Sequence, residues 1–168
     1  MAIEQGQQQR PGSNSRRTTF SGRQDARQYD HEVLELSRVV RVVKGGRRFR
    51  FRACVIIGNR TGTVGMGIGK SRDVQQAIQK AYDQAVKNAV KVDIEDGTIL
   101  EAAMSRFKGA LVMVRPAKPG TGIIAGGTVR MVADLAGITD LVAKRFGSAN
   151  RISNARATLT ALTKGNKK

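Results

Sequence analysis

The sequence has one cysteine, one histidine, no tryptophan and only 13 acidic residues in 168. Cys54 alone rules out an internal disulfide, and Cys54 with His31 cannot supply the ligands of a structural zinc site, so the chain reads as intracellular and metal-free. Long hydrophobic runs are also missing. No unbroken apolar stretch exceeds the five residues of Ala53-Cys54-Val55-Ile56-Ile57, far short of the ~18 residues that span a bilayer. The N-terminus is rich in glutamine rather than in the apolar residues of a secretion signal. At about 100 to 200 residues per domain the length allows one medium domain or two small ones, which excludes a large multidomain catalyst.

What is present is positive charge. Thirty Lys and Arg against 13 Asp and Glu give a formal charge of +17, with an isoelectric point near 11.2. That is too basic for an ordinary cytosolic enzyme surface, while 40% hydrophobic residues still permit a folded core. The excess charge therefore belongs on surfaces that meet a polyanion. Residues 1–30 are Gln, Arg, Gly and Ser with few large apolar side chains, and are expected to form a flexible basic tail when free. Residues 31–60 hold Arg38, Arg41, Lys44, Arg47, Arg48, Arg50, Arg52 and Arg60 against Glu32 and Glu35. Residues 61–100 are balanced, and the excess returns from 101 to 168. This distribution suggests two domains, 31–96 and 97–163, with a short basic tail at 164–168.

Val39-Val40-Arg41-Val42-Val43 is an extended run, followed by Lys44-Gly45-Gly46-Arg47, where the glycine pair would supply the positive φ values of a tight hairpin turn. In the returning run Phe49, Phe51, Ala53 and Val55 alternate with Arg48, Arg50 and Arg52. Period 2 places the aromatics on a core face and the arginines, with Cys54, on a solvent face. Next, Val64, Met66 and Ile68 alternate with Gly65, Gly67 and Gly69, so a third strand has one face without side chains. Ser71 is positioned as an N-cap, and apolar residues from Val74 to Val90 recur at helical spacing. The second half suggests strands near 98–100, 110–115 and 138–143, with helices near 127–136 and 150–162. The expected class is α+β: a three-stranded antiparallel sheet with a long helix, then a small β-α-β-α unit.

Two glycine motifs invite nucleotide readings, and both fail on setting. Gly69-Lys70-Ser71 lacks the first glycine of a phosphate-binding P-loop, because that position is Val64. Lys70 and Arg72 remain useful for phosphates of a nucleic-acid backbone. Gly120-Thr121-Gly122-Ile123-Ile124-Ala125 fits G-x-G-x-x-A, but Pro116 and Pro119 separate it from the strand, and too little chain follows to build a doubly wound sheet. No cofactor is expected. No nucleophile, base and orienting group come together, so enzymatic activity is not expected either. A charged strand face is often merely solvated, yet here eight basic residues meet two acids. RNA-binding residues on this reading are Arg41, Lys44, Gly45, Gly46, Arg47, Arg48, Arg50, Arg52, Arg60, Lys70 and Arg72, recognising the backbone and shape of structured RNA.

Three long motifs carry a resemblance. Arg41-Val42-Val43-Lys44-Gly45-Gly46-Arg47-Arg48-Phe49-Arg50-Phe51, then Val64-Gly65-Met66-Gly67-Ile68-Gly69-Lys70, then Pro116 through Gly127 resemble, in order and spacing, the bacterial small-subunit ribosomal protein five family. The likeness continues through Ala136-Gly137-Ile138 and Gly147-Ser148-Ala149-Asn150. It implies a double-stranded-RNA-binding-like domain followed by a β-α-β-α domain. It also implies binding to small-subunit ribosomal RNA, contacts with small-subunit proteins four and eight, a place near where messenger RNA enters, and a role in assembly and decoding accuracy. By the same resemblance Lys44, Gly45, Gly46 and Arg47 form a loop reaching the RNA near the spectinomycin pocket. Gly122 and Arg130, with Gly120 beside them, form a protein interface toward protein four. The sequence departs from the family pattern at Leu100-Glu101, Ser105-Arg106-Phe107-Lys108 and Asn150-Arg151. A free-standing RNA chaperone or regulator is the alternative, separated from a ribosomal component by whether the protein sediments with the small subunit.

Overall fold

A computed structural model describes residues 29–165; the expected N-terminal tail lies almost wholly outside them, as do residues 166–168 of the C-terminal one. The elements in chain order are β1 (Asp30–Val43), β2 (Gly46–Gly58), β3 (Thr63–Ser71), α1 (Val74–Lys87), β4 (Val90–Lys91), β5 (Ile94–Glu95), β6 (Thr98–Ile99), β7 (Ala103–Phe107), β8 (Ala110–Pro116), β9 (Ile123–Ile124), α2 (Gly127–Ala136), β10 (Leu141–Gly147) and α3 (Arg151–Lys164). One sheet has the order β1-β2-β3-β4, a second β7-β8-β10-β9, and β5 pairs with β6 alone. The α+β class is as expected, with more strand than anticipated. The first strand begins at Asp30 rather than Val39, β7 is an additional strand, and the strand expected at 138–143 runs over 141–147. Thr139 and Asp140 are withheld from that strand because both their N–H groups donate to the Gly97 carbonyl, at 2.8 and 3.1 Å.

The glycines of β3 set the first layer. Gly65, Gly67 and Gly69 pair with Ile57, Val55 and Ala53, and so share a sheet face with them. On this face α1 lays Ala77, Ala81 and Ala85, all fully buried with Ala53, Val55 and Ile57 in one apolar cluster. A Cβ on Gly65, Gly67 or Gly69 would run into the carbonyl of Ala85, Ala81 or Ala77 respectively. Small residues at i, i+4 and i+8 on the helix meet none at i, i+2 and i+4 on the strand, which lets the backbones approach closely. The helix starts at Asp73, whose carboxylate accepts the Gln76 N–H at 3.4 Å. Ser71, the expected cap, is instead the last residue of β3, and its hydroxyl is 3.0 Å from Gln76 Oε1.

The opposite sheet face is not solvated. Cys54, Ile56, Val64 and Met66 are buried in a second cluster that also holds Val112, Val114, Val129, Val132, Leu135, Leu141, Ala157 and Leu162 from the other half of the chain. Helices α2 and α3 pack between the two sheets and contact both. Cys54, placed on a solvent face by strand alternation, is therefore 1% exposed. A β-bulge between Val33 and Glu35 inserts Leu34 into the same cluster. The halves are also joined through backbone: the Arg60 and Gly62 N–H groups donate to Leu135 and Ala136 carbonyls at 3.1 and 2.8 Å. These carbonyls are orphaned by the end of α2, so the β2–β3 loop caps the helix. Gly137, at φ 91°, turns the chain there, and its N–H and that of Ile138 close on Ala133.

The close α1–β3 approach generates a test. Gly67→Ala should cost about 1–3 kcal/mol by overpacking, read as a lower urea midpoint. Gly127→Ala, where nothing lies within 4 Å of a new Cβ at the first residue of α2, should be neutral or raise stability by ~0.4–1 kcal/mol. Equal effects of the two would contradict the packing account.

Candidate nucleic-acid interface

The cover on the first sheet stops abruptly. Ser71, the last residue of β3, pairs with Phe51, and α1 begins only at Val74. Beyond that point residues 39–43 and 46–50 pair only with each other and project as a two-stranded ribbon. The turn is tighter than the glycine pair suggests: Val43 pairs with Gly46, leaving Lys44 and Gly45 at the tip. Only Gly46, at φ 122°, has positive φ; Gly45 does not.

Register sorts the side chains of the ribbon. Arg41 lies directly opposite Arg48, Arg50 opposite Val39, and Arg52 opposite Ser37 on one side and Lys70 on the other. All of these share the face away from α1. Like charges set directly across a ladder cost ~0.2–1 kcal/mol, so the Arg41–Arg48 pair has no value to the isolated fold. Arg52 differs from the rest of its row: it donates to Glu35 at 2.8 Å and is half-buried. Arg60 also stands apart, in an ion pair of 3.2 Å with Asp30. It lies past the far end of β2, about 40 Å from the turn at ~3.3 Å per residue, so the structure does not bring it to the ribbon. Arg41, Lys44, Arg47, Arg48, Arg50, Lys70 and Arg72 are exposed and have no carboxylate partner among the described residues.

The aromatic side of the alternation is covered only in part. Phe51 is half-buried against the α1 cluster, but Phe49, expected in the core, is 42% exposed because α1 does not reach it. The guanidinium of Arg38, which lies outside the RNA-binding set expected from the sequence, sits 3.7 Å from the Phe49 ring centre. The signal was in the pattern: Arg38 shares its strand parity with Leu36, Val40 and Val42.

The second group of residues is also assembled. Gly120 and Gly122 have φ of 84° and 74°, and Arg130 is exposed and donates to the Ile123 carbonyl at 2.9 Å. A cavity of about 310 Å³ beside them is lined by Glu32, Ile123, Arg130, Met131 and Asp134. The G-x-G-x-x-A loop is already filled. Asp140, 7% exposed, accepts the Gly122 N–H at 2.7 Å and the Thr139 hydroxyl at 2.9 Å. These bonds, Gly122 first, hold its carboxyl below the ordinary value of 3.8, with smaller help from the Gly120 and Thr121 N–H groups. An internal carboxylate occupies the donors that a cofactor phosphate would need. Cys54 is no nucleophile: burial first, and Glu35 second, push its thiol up to about 11. Among the described residues there is no cluster of three or more metal-binding side chains, and no helix is long and apolar enough to cross a membrane.

An α+β scaffold that projects an unneutralised arginine ribbon has the surface of a nucleic-acid-binding protein. Residues 29–93 match the family described as "Ribosomal protein S5, N-terminal domain", and residues 105–167 the one described as "Ribosomal protein S5, C-terminal domain". The chain is 46% identical over 136 residues to "Small ribosomal subunit protein uS5" of Campylobacter jejuni (strain ATCC 700819 / NCTC 11168), covering 81% of this chain and 92% of that one. It is 45% identical over 136 residues to the protein of the same name from Treponema pallidum (strain Nichols), covering 81% and 79%. The chain belongs to the ribosomal protein S5 family, which comprises structural, non-enzymatic proteins of the small ribosomal subunit.

The Asp140 bonds fix a pH dependence. A carboxyl with a depressed folded-state pKa contributes stability that is complete above its unfolded value and is lost as pH falls through the folded one. The excess stability of the natural protein over Asp140→Asn should therefore be constant above pH ~5 and shrink progressively below about 3.8. Parallel acid-unfolding curves for the two proteins would exclude this role.

Proposed function

We propose that this chain acts in the cytoplasm as a component of the small ribosomal subunit, gripping small-subunit ribosomal RNA with the ribbon of β1 and β2. The observation that carries the reading is the Arg41–Arg48 opposition, extended by Arg50 and Lys70 on the same face. Such a row is unfavourable alone and favourable against phosphates, whose bound counterions it displaces. Lys44, Gly45, Gly46 and Arg47 at the tip enter furthest into the RNA, and Arg72 lies just past the end of β3. The units 31–96 and 97–163 divide the work, the first toward RNA and the second toward proteins. Gly120, Gly122 and Arg130 face small-subunit protein four, and through that contact the chain influences decoding accuracy near where messenger RNA enters. Small-subunit protein eight is the second protein partner. The outer face of the β7-β8-β10-β9 sheet suits it, with Met104, Ile124, Val142 and Phe146 exposed there.

The phosphate role is tested on a small-subunit ribosomal RNA fragment. Each lost phosphate contact lowers the slope of log affinity against log salt by about 1, so the Arg48→Ala/Arg50→Ala double variant should lose about 2. An unchanged slope rejects the assignment of this face. Sedimentation of the protein away from the small subunit would favour the free-standing chaperone.

The interface role is tested in cells. Gly122 has open space around a new Cβ, but its φ of 74° strains any other residue, by ~1–3 kcal/mol. Gly122→Arg should be incorporated, disturb the contact and raise stop-codon readthrough. Normal readthrough with full incorporation would count against a fidelity role.

A further inference from the structure

The ribbon has a second face, and its chemistry is different. On the α1 side the exposed residues are Leu36 at 46%, Val40 at 50%, Val42 at 74% and Phe49 at 42%, with Arg38 and Arg47 beside them. Val40 pairs with Phe49 and Arg38 with Phe51, so Arg38 and Phe49 are diagonal neighbours on that face. The Arg38 guanidinium lies over the ring at 3.7 Å, is exposed, and has no carboxylate partner among the described residues. An exposed guanidinium centred over an aromatic ring leaves its outer side to solvent. A planar, electron-rich partner stacks there, and the ring and its aliphatic neighbours exclude water from the edge.

We propose that Phe49 and Arg38 form a stacking platform for an unpaired nucleobase of RNA, on the side of the ribbon opposite the phosphate-binding arginines. This deepens the RNA-binding reading and rests on it. A nucleobase fits better than a protein side chain for two reasons on the page. The platform is one strand's thickness from Arg41, Arg48 and Arg50, so an RNA gripped by them already passes beside it. The flanking charge is also wholly positive, through Arg38 and Arg47. Duplex RNA cannot use the platform, because its bases are stacked and its readable groove is shallow, whereas a loop or bulge can splay a base out. The two faces then divide recognition: backbone charge on one, a single unstacked base on the other.

The two contributions separate by their salt dependence. Stacking neutralises no phosphate, so Phe49→Ala should weaken binding to a looped small-subunit ribosomal RNA fragment by about five- to a hundredfold with its salt slope unchanged. Phe49→Tyr should bind as the natural protein does. Arg38→Lys keeps the charge but loses the plane, and should lose affinity in the same manner, which covers the case in which Phe49→Ala loosens the ribbon. A fully paired RNA duplex should bind Phe49→Ala and the natural protein alike. Natural-level binding of the looped RNA by both Phe49→Ala and Arg38→Lys overturns the proposal, as does an equal loss on duplex. An unchanged slope in Arg48→Ala/Arg50→Ala, with Phe49→Ala still defective, would instead reject the phosphate face and leave the platform standing.

Discussion

The approach of α1 onto the glycine face of β3 is the contact on which the rest of the architecture depends. With no Cβ at residues 65, 67 and 69, the alanine carbonyls of the helix rest against strand backbone. All the apolar side chains of β3 then point the other way, and Val64 and Met66 require a second cover. Helices α2 and α3 supply it, so the first sheet is buried on both faces and the core runs without interruption from one half of the chain into the other. A strand with side chains on both faces would hold α1 further off, with a layer of side chains between the two backbones.

The same contact decides where the fold ends and the binding surface begins. Packing covers β2 as far as Phe51 and no further, because β3 and α1 stop there together. What lies beyond is a pair of strands with no layer on either side, and an isolated hairpin of that kind is marginal in water. Its backbone ladder continues a well-supported sheet, so the ribbon is anchored at its base while its arginine row stays exposed. The opposed Arg41 and Arg48 belong to this logic: they sit where the fold gains nothing from them.

The second group of residues is supported differently. The loop containing Gly120 and Gly122 is wound around the Asp140 carboxylate, and its exit is fixed by the Leu141 N–H donating to the Gly122 carbonyl at 3.1 Å. The end of α2 is capped by the β2–β3 loop. The spacing between the ribbon and the Arg130 region is therefore held by shared backbone hydrogen bonds and a common core rather than by a linker.

Much of this was legible beforehand, and the limits are physical. Alternation put Arg48, Arg50 and Arg52 on one face; glycine at every second position of β3 marked a strand face without side chains; the hairpin followed from extended runs on either side of Gly45-Gly46. These are local regularities, set by the period of the backbone, and a chain carries them whatever it packs against. Period 2 separates two faces but does not say which is covered, or for how far. Cys54 is buried because α2 and α3 fold back over the arginine-bearing face; Phe49 is exposed because α1 stops short of it; Arg52 is neutralised by Glu35 across the ladder, while Arg60 is carried to the opposite end. The sequence by itself determined the principal strands and helices, the charge and the family. Only the tertiary structure decided which side chains are left for a partner, because exposure depends on residues distant in the chain that happen to lie above each face.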